Sequence, residues 1–297
     1  MGVPVDFWDR FINKIRDPHM VKQAEYAMDS VIRDRMLENG IVRNNGILPT
    51  IKISNQQLDK DEDPKKLKKF VELDAYAKAT YVPFRGMPDA EIVEARFLAC
   101  YFDKIETDVY TSNYNELRTS TIDLNKMLEE QFAKALQDVE DTAFINRLNQ
   151  LVALNPAEQD LVFFGGLTKE TWTAALQSYY INKPLNCMLM NKRTSKEFLK
   201  WDYQADIPVG LLTADMYSKQ ETPKMGGRIV ETIKDYLIPD GVVWFLPEPD
   251  FMGKFFELES PKTFIESRKD WFSMSASEIV GLVIANTRSF IKCTFKN

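Results

Sequence analysis

Histidine and cysteine are scarce in this 297-residue chain: His19 is the only histidine, and Cys100, Cys187 and Cys293 are the only cysteines. His19 stands beside Pro18 with no second imidazole to share a metal or a proton relay, so a structural or capping role is expected for it. The cysteines are odd in number and more than 80 residues apart, which makes neither a disulfide framework nor a zinc spacing and suits a reducing compartment. No G-x-S-x-G elbow, H-E-x-x-H or C-x-x-C occurs, so the common nucleophile and zinc templates are excluded together. Glycine pairs stand at 165–166 and 226–227 without the third glycine or the Gly-Lys-Ser/Thr of a phosphate cradle, and Gly253-Lys254 is followed by Phe255. All three read as turns. No cofactor is expected.

Long apolar runs are missing too. The longest, residues 279–285, is far below the ~18 residues that span a bilayer, so no membrane is expected as a partner. Met1 to Arg10 carries Asp6, Asp9 and Arg10 and no apolar h-region, so no secretory signal is expected and the product reads as cytoplasmic. Cations are outnumbered, 38 Lys and Arg against 44 Asp and Glu, a net charge of −6. That disfavours a protein that grips nucleic acid through its phosphates, though not one that encloses it.

What is present is enough apolar residue, 44%, for a sizeable core, and a clear series of elements. Phe7, Trp8, Phe11, Ile12 and Ile15 form one helical stripe; Met20, Val21, Ala24, Met28, Val31 and Ile32 form another. Such stripes must dock, on their own domain or on a neighbouring subunit. Lys60 to Lys69 is charged and Pro-interrupted, and reads as an exposed loop. From Val71 to Tyr81 the period becomes two, a turn follows at residues 83–89, and a second β-rich run covers Ile92 to Phe102. These make a long hairpin, which needs support from another surface because isolated hairpins are marginal in water. Tyr81, Val82, Phe84 and Met87 at its tip end have no core nearby, so they read as protein contacts.

Ser120-Thr121-Ile122-Asp123 opens a helix in which Leu124, Leu128, Phe132, Ala135 and Val139 recur, reaching about Leu148 and roughly 40 Å long. Further helices are expected over Thr171–Tyr180 and Thr194–Trp201, with strands at Cys187–Met190, Arg228–Ile233, Val242–Leu246, Phe255–Leu258, Thr263–Ser267, Ile279–Ala285 and Ser289–Phe295. The order predicts an α+β fold. Asp59-x-Asp61-x-Asp63 imitates a calcium loop, but Pro64 stands where glycine is needed and Phe70 where a bidentate Glu belongs. The carboxylate pairs Glu129-Glu130 and Glu140-Asp141 lie on the long helix and diverge by ~100°, so they read as surface charge.

Hairpin, then a long helix closing in Glu140-Asp141-Thr142-Ala143-Phe144-Ile145, resembles the extended loop and spine helix of tailed-bacteriophage major capsid proteins, the Hong Kong 97-like fold. Residues 187–191 (CMLMN) with 194–199 (TSKEFL) are similar to that family's strand and helix. Residues 226–232 (GGRIVET), 238–245 (IPDGVVWF) and 253–258 (GKFFEL) are similar to its axial-domain strands. The resemblance runs in order from about residue 70 to 295, and rests on packing and turn patterns, not on chemistry.

It implies an N-terminal arm with amphipathic helices over 1–69, an extended hairpin loop over 70–103, a peripheral domain with the spine helix over 104–155, an axial domain over 156–254, and strands returning to the peripheral domain over 255–297. The arm and hairpin would cross to neighbouring subunits, making Tyr81, Phe84, Arg85, Met87, Phe7, Trp8 and Phe11 the candidate inter-subunit contacts. Arg85 sits at the tip where some relatives carry a cross-linking lysine, and Lys78 is on the limb, so covalent linkage is not expected. The implied partner is the chain itself, in hexamers and pentamers of an icosahedral shell around double-stranded DNA. Residues 1–69 are short for the family's internal scaffolding segment, which implies either a separate scaffolding protein, the expected case, or a segment already removed; a portal and a decoration protein are further implied partners. The implied location is the virion, assembled in the host cytoplasm. An encapsulin nanocompartment shell shares the fold. From a different class, a carboxylate-dependent α+β enzyme would be told apart by a stable monomer.

Overall fold

The computed structural model describes residues 18–44, 47–58, 67–73, 96–113, 124–180, 185–202, 228–268, 270–284, 286 and 289–296. Two sheets and a long helix organise them. The larger sheet orders its strands β1 (Thr50–Lys52), β9 (Gly253–Ser267), β10 (Trp271–Ile284), β3 (Arg96–Glu106) and β2 (Leu67–Leu73), with β4 (Tyr110–Asn113) also paired to β10. The smaller sheet orders β5 (Asp160–Phe164), β11 (Ile291–Lys296), β8 (Val242–Pro247), β6 (Leu185–Asn191) and β7 (Arg228–Thr232). Strands β6 and β8 are covered on both faces, which is why they read as unbroken apolar runs and not as alternations.

Helix α1 (Pro18–Asn39) is followed by the single turn α2 (Ile41–Asn44) and later by α3 (Leu124–Leu154), about 46 Å long. Short α4 (Pro156–Gln159), then α5 (Lys169–Tyr180), α6 (Lys192–Asp202) and short α7 (Pro249–Met252) complete the set. The N-terminal half of α3 buries Leu128, Phe132 and Leu136 against Met28, Ile32 and Met36 of α1 and against Ile265, Phe272, Met274 and Ala276 of the larger sheet. Its C-terminal half buries Phe144, Leu148 and Val152 against Leu189, Trp244 and Leu246 of the smaller sheet and Phe255 and Ile284 of the larger. One helix therefore keys both sheets together. The far face of the smaller sheet is closed by Trp172 and Tyr179 of α5 and Phe198 of α6 over Phe245 and Phe295.

The α+β fold and most expected elements are present, with several corrections. The hairpin limbs β2 and β3 pair antiparallel, Leu67 with Phe102 through Leu73 with Arg96. Leu67, Lys68 and Lys69, read as loop, thus begin β2. The strands expected at Phe255–Leu258 and Thr263–Ser267 are one strand, β9; Ser260 and Pro261 form a bulge in it opposite Glu278, where the ladder is interrupted and a missing proline N–H costs little. Strand β10 begins eight residues before the expected Ile279. Gly253 is not in a turn: it starts β9, where a Cβ would lie 2.1 Å from the Val283 carbonyl oxygen. Of 255–297, β9 and β10 join the larger sheet, but β11 completes the smaller one between β5 and β8.

The second N-terminal stripe has a partner in its own chain. Beyond Glu257 the free edge of β9 is covered by α1, whose Asp29 and Glu25 carboxylates accept from the backbone N–H groups of Thr263 (2.5 Å) and Ile265 (3.0 Å). Side chains of a helix thereby do for this edge what another strand would do.

Candidate functional site

The row Leu128, Phe132, Leu136, Glu140, Phe144, Leu148, Val152 advances four residues at a time along α3, and every member is buried. One of the seven is charged. Gln137 and Asp141, on the adjoining row, are buried as well. Far from being surface charge, Glu140 and Asp141 are 4% and 1% exposed, and with Gln137 they fasten the α1–α2 joint to the spine helix. A carboxylate survives in such a position only with partners, because burying it alone costs far more than a packing contact returns.

Each has them. Gln137 Nε2 donates to the Met36 carbonyl at 3.2 Å, at the end of α1. Gly40 follows, where a Cβ would meet both the Gln137 amide and the Met36 oxygen at 2.9 Å, so this close approach needs glycine. Asp141 accepts from the Ile41 and Val42 N–H groups at 3.1 and 3.4 Å, and from Lys234 Nζ at 2.8 Å. Burial pushes the Asp141 carboxyl up from its usual range, against the pull of Lys234 and the two amides. Lys234 also meets Asp138 at 2.5 Å; burial lowers its pKa, but the hydrogen bonds it donates to Asp138 and Asp141 outweigh that and raise it.

Glu140 meets Arg43 of α2. The guanidinium donates from Nε to both Glu140 oxygens (3.0 and 2.9 Å) and from Nη2 to Oε1, from Nη1 to Glu257 of β9 (3.2 Å), and from Nη2 to Glu278 of β10 (2.7 Å). The four side chains are between 0% and 4% exposed. Arg43 lies 5.2 Å from the Phe255 ring centre. The planar five-donor fork of arginine suits a site where three carboxylates from three elements converge. Glu257 has further support from the Ser260 hydroxyl and from Lys52 Nζ at 3.3 Å; these and Arg43 outweigh its burial and hold its pKa low. Glu278 has no such support. Burial and the Glu140 charge push it to about 8, despite Arg43.

In the smaller sheet, Asn191 ends β6 and ties it to the β7–β8 connection. Its Nδ2 donates to the Ile238 carbonyl at 3.1 Å and to Asp235 at 2.5 Å, while its Oδ1 accepts from the Arg193 N–H at 2.8 Å. Thr194 accepts from the Gly241 N–H at 2.9 Å, within a turn whose Gly241 has φ of 77°. These are joints, not reactive groups. Among the described residues no group of three or more His, Cys, Asp or Glu is arranged to hold a metal ion, and no helix is long and apolar enough to cross a membrane. The three cysteines are buried and unpaired with one another, with Cys100 and Cys187 pushed to about 12 by burial.

Tyr81, Phe84, Arg85, Met87, Phe7, Trp8 and Phe11, the expected contacts, lie outside the described residues, as do Val82, Asp59, Asp61, Asp63 and Gly226-Gly227. His19 falls in the first turn of α1. The joint formed by Arg43, Gln137, Glu140, Asp141, Glu257 and Glu278 was not anticipated. Its one signal in the sequence is a glutamate standing where the i, i+4 apolar row of α3 calls for a large apolar side chain.

No protein-family model matches the sequence, and no curated protein matches it. Solved structures do. A chain from Microbacterium phage Oxtober96 is similar with a TM-score of 0.59 and 10% identity, over 87% of this chain and 92% of that one. The mature capsid of bacteriophage PhiM1 is similar at 0.55 and 10%, over 85% and 86%. A virus-like particle from Pyrococcus furiosus is similar at 0.53 and 13%, over 91% of this chain and 99% of that one. The shared architecture is the Hong Kong 97-like fold expected from the order of elements.

Proposed function

We propose that the chain is a major capsid protein, assembling through hexamers and pentamers into the icosahedral shell that encloses a tailed phage's double-stranded DNA. The observation that carries this reading is the likeness to capsid structures along nearly the whole length of both chains. Two features support it. The chemistry found is that of joints and packed cores, which a shell subunit requires. The net charge of −6 suits a wall that contains DNA without binding it at every point. In this reading the larger sheet with α1 and α3 is the peripheral domain, the smaller sheet with α5, α6 and β11 is the axial domain, and no catalytic group, cofactor or metal is needed. Scaffolding, portal and decoration proteins are its further partners, and the virion, built in the host cytoplasm, is its location.

The hairpin beyond β2 and β3 supplies the contact with an adjacent subunit, through Tyr81, Phe84, Arg85 and Met87, and the segment with Phe7, Trp8 and Phe11 supplies another. Replacing Phe84 and Met87 together by Asp is expected to leave the circular dichroism and the melting temperature of the subunit unchanged, while sedimentation shows particles replaced by free subunits or capsomers. Loss of the folded subunit instead places both residues in its own core and removes them from the contact.

The virus-like particle from Pyrococcus furiosus, which is matched over 99% of its chain, favours a second reading, a shell around a protein cargo. Purified particles separate the two: DNA inside supports the phage shell, and a protein cargo without DNA supports the nanocompartment.

A further inference from the structure

Among the described residues, Arg43 is the one cation in contact with Glu140 and Glu278. Glu257, the third carboxylate on the guanidinium, has Lys52 and Ser260 as separate support, so the imbalance falls on the other two. Glu278 Oε2 accepts from Arg43, but its Oε1 is buried with no protein donor. A buried carboxylate oxygen that has no donor and lies beside a second carboxylate is where a proton is held. Alternation along β10 puts Glu278 on the same face as Ala276 and Val280, which are both buried, and Ala276 packs with the α3 side chains.

We propose that Glu140 and Glu278 hold one proton between them, carried by Glu278, and that losing it loosens α2 from the spine helix and the larger sheet: a pH-operated latch on the N-terminal joint. Among the described residues, the surroundings provide no second cation. On α3, Asp141 turns to Lys234, which is committed to Asp138 as well. On β9, Glu257 adds negative charge. On β3, Ile105 stands opposite Glu278, while Lys104 and Glu106 pair with each other at 2.7 Å on the exposed side. On α2, Arg43 is already shared three ways. Ionising Glu278 therefore places an uncompensated carboxylate beside Glu140 in a dry joint, and the element that the joint's ion pairs and Asp141 tie down, beside the packing of Ile41 and Val42, is the four-residue α2.

The sign follows from linkage. Unfolded, Glu278 titrates near ~4.3; folded, it titrates near 8. The folded chain holds the extra proton between these values, so the stabilisation is complete below the lower one and is lost as pH rises through the upper one. The test is thermal unfolding and amide hydrogen exchange of the full chain at pH 6 to pH 9, in wild type and in Glu278→Gln, whose amide permanently imitates the protonated acid. In the wild type the melting temperature falls across this window and the protection of residues 40–44, each rate taken against the base-catalysed rate of an unfolded amide at that pH, falls, while that of β6 does not. In Glu278→Gln both changes are abolished, and the variant is more stable than wild type at pH 9. Parallel profiles for the two proteins, or a Glu278→Gln chain that is less stable at pH 9 or fails to fold, would overturn the proposal. Every readout is internal to one subunit, so it stands or falls separately from the shell.

Discussion

Arg43 converts three buried carboxylates from a liability into a joint, and its replacement shows what they cost without it. An Arg43→Leu chain is expected to lose about 3–5 kcal/mol, the usual penalty for leaving one side of a buried ion pair uncompensated. Against a total stability of about 5–15 kcal/mol, that leaves it marginal in urea denaturation at pH 7. Arg43→Lys should recover only part of the loss, because an ammonium cannot reach Glu140, Glu257 and Glu278 in one plane. None of this was legible beforehand, for a physical reason. A charged pair on a helix is ordinarily solvated, and Glu129-Glu130 behave so, with Glu130 half exposed near Arg35 at 3.6 Å. Glu140-Asp141 look the same in isolation. Their partners lie roughly 100 residues away on α2 and further still on the sheet, and no local pattern encodes that distance.

Among the elements, α3 carries the most weight because both sheets pack on it. Leu128→Asp is expected to unfold the subunit, since the carboxylate enters the core formed with α1 and β10 and finds no cation. Val139→Asp is expected to change stability by less than about 0.5 kcal/mol, because Val139 is 48% exposed. The contrast is read by thermal melting of the two variants side by side. Both residues belong to the stripe the sequence suggests; the true row departs from it after Phe132, through Leu136 and not Ala135, as a straight helix packing by i, i+4 ridges does. Elements fixed by their own pattern were legible: β6 and β8 as strands, the end of β2 as alternation, β3 as a β-rich run, and α5 and α6 as helices. Elements fixed by pairing were not. Thr50–Lys52 becomes a strand only because β9 lies parallel beside it, and Phe272–Ser277 alternates apolar residues with serines whose burial no polarity scale anticipates.

On the scale of the whole molecule, the order of elements carried what single motifs could not. At about 10% identity to the phage structures most side chains differ, yet the fold is shared over 85% and 87% of this chain. The α1 segment, which looked partnerless, is held by α3 and the β9 edge. In the proposed shell, contacts between copies are expected from residues 81–87 and 7–11, which lie outside the described residues. Electron microscopy of the purified protein, alone and with a co-expressed scaffold, tests that shell most directly. The account predicts closed icosahedral particles, or hexameric and pentameric capsomers; a folded 34.4 kDa monomer that persists under every assembly condition contradicts it.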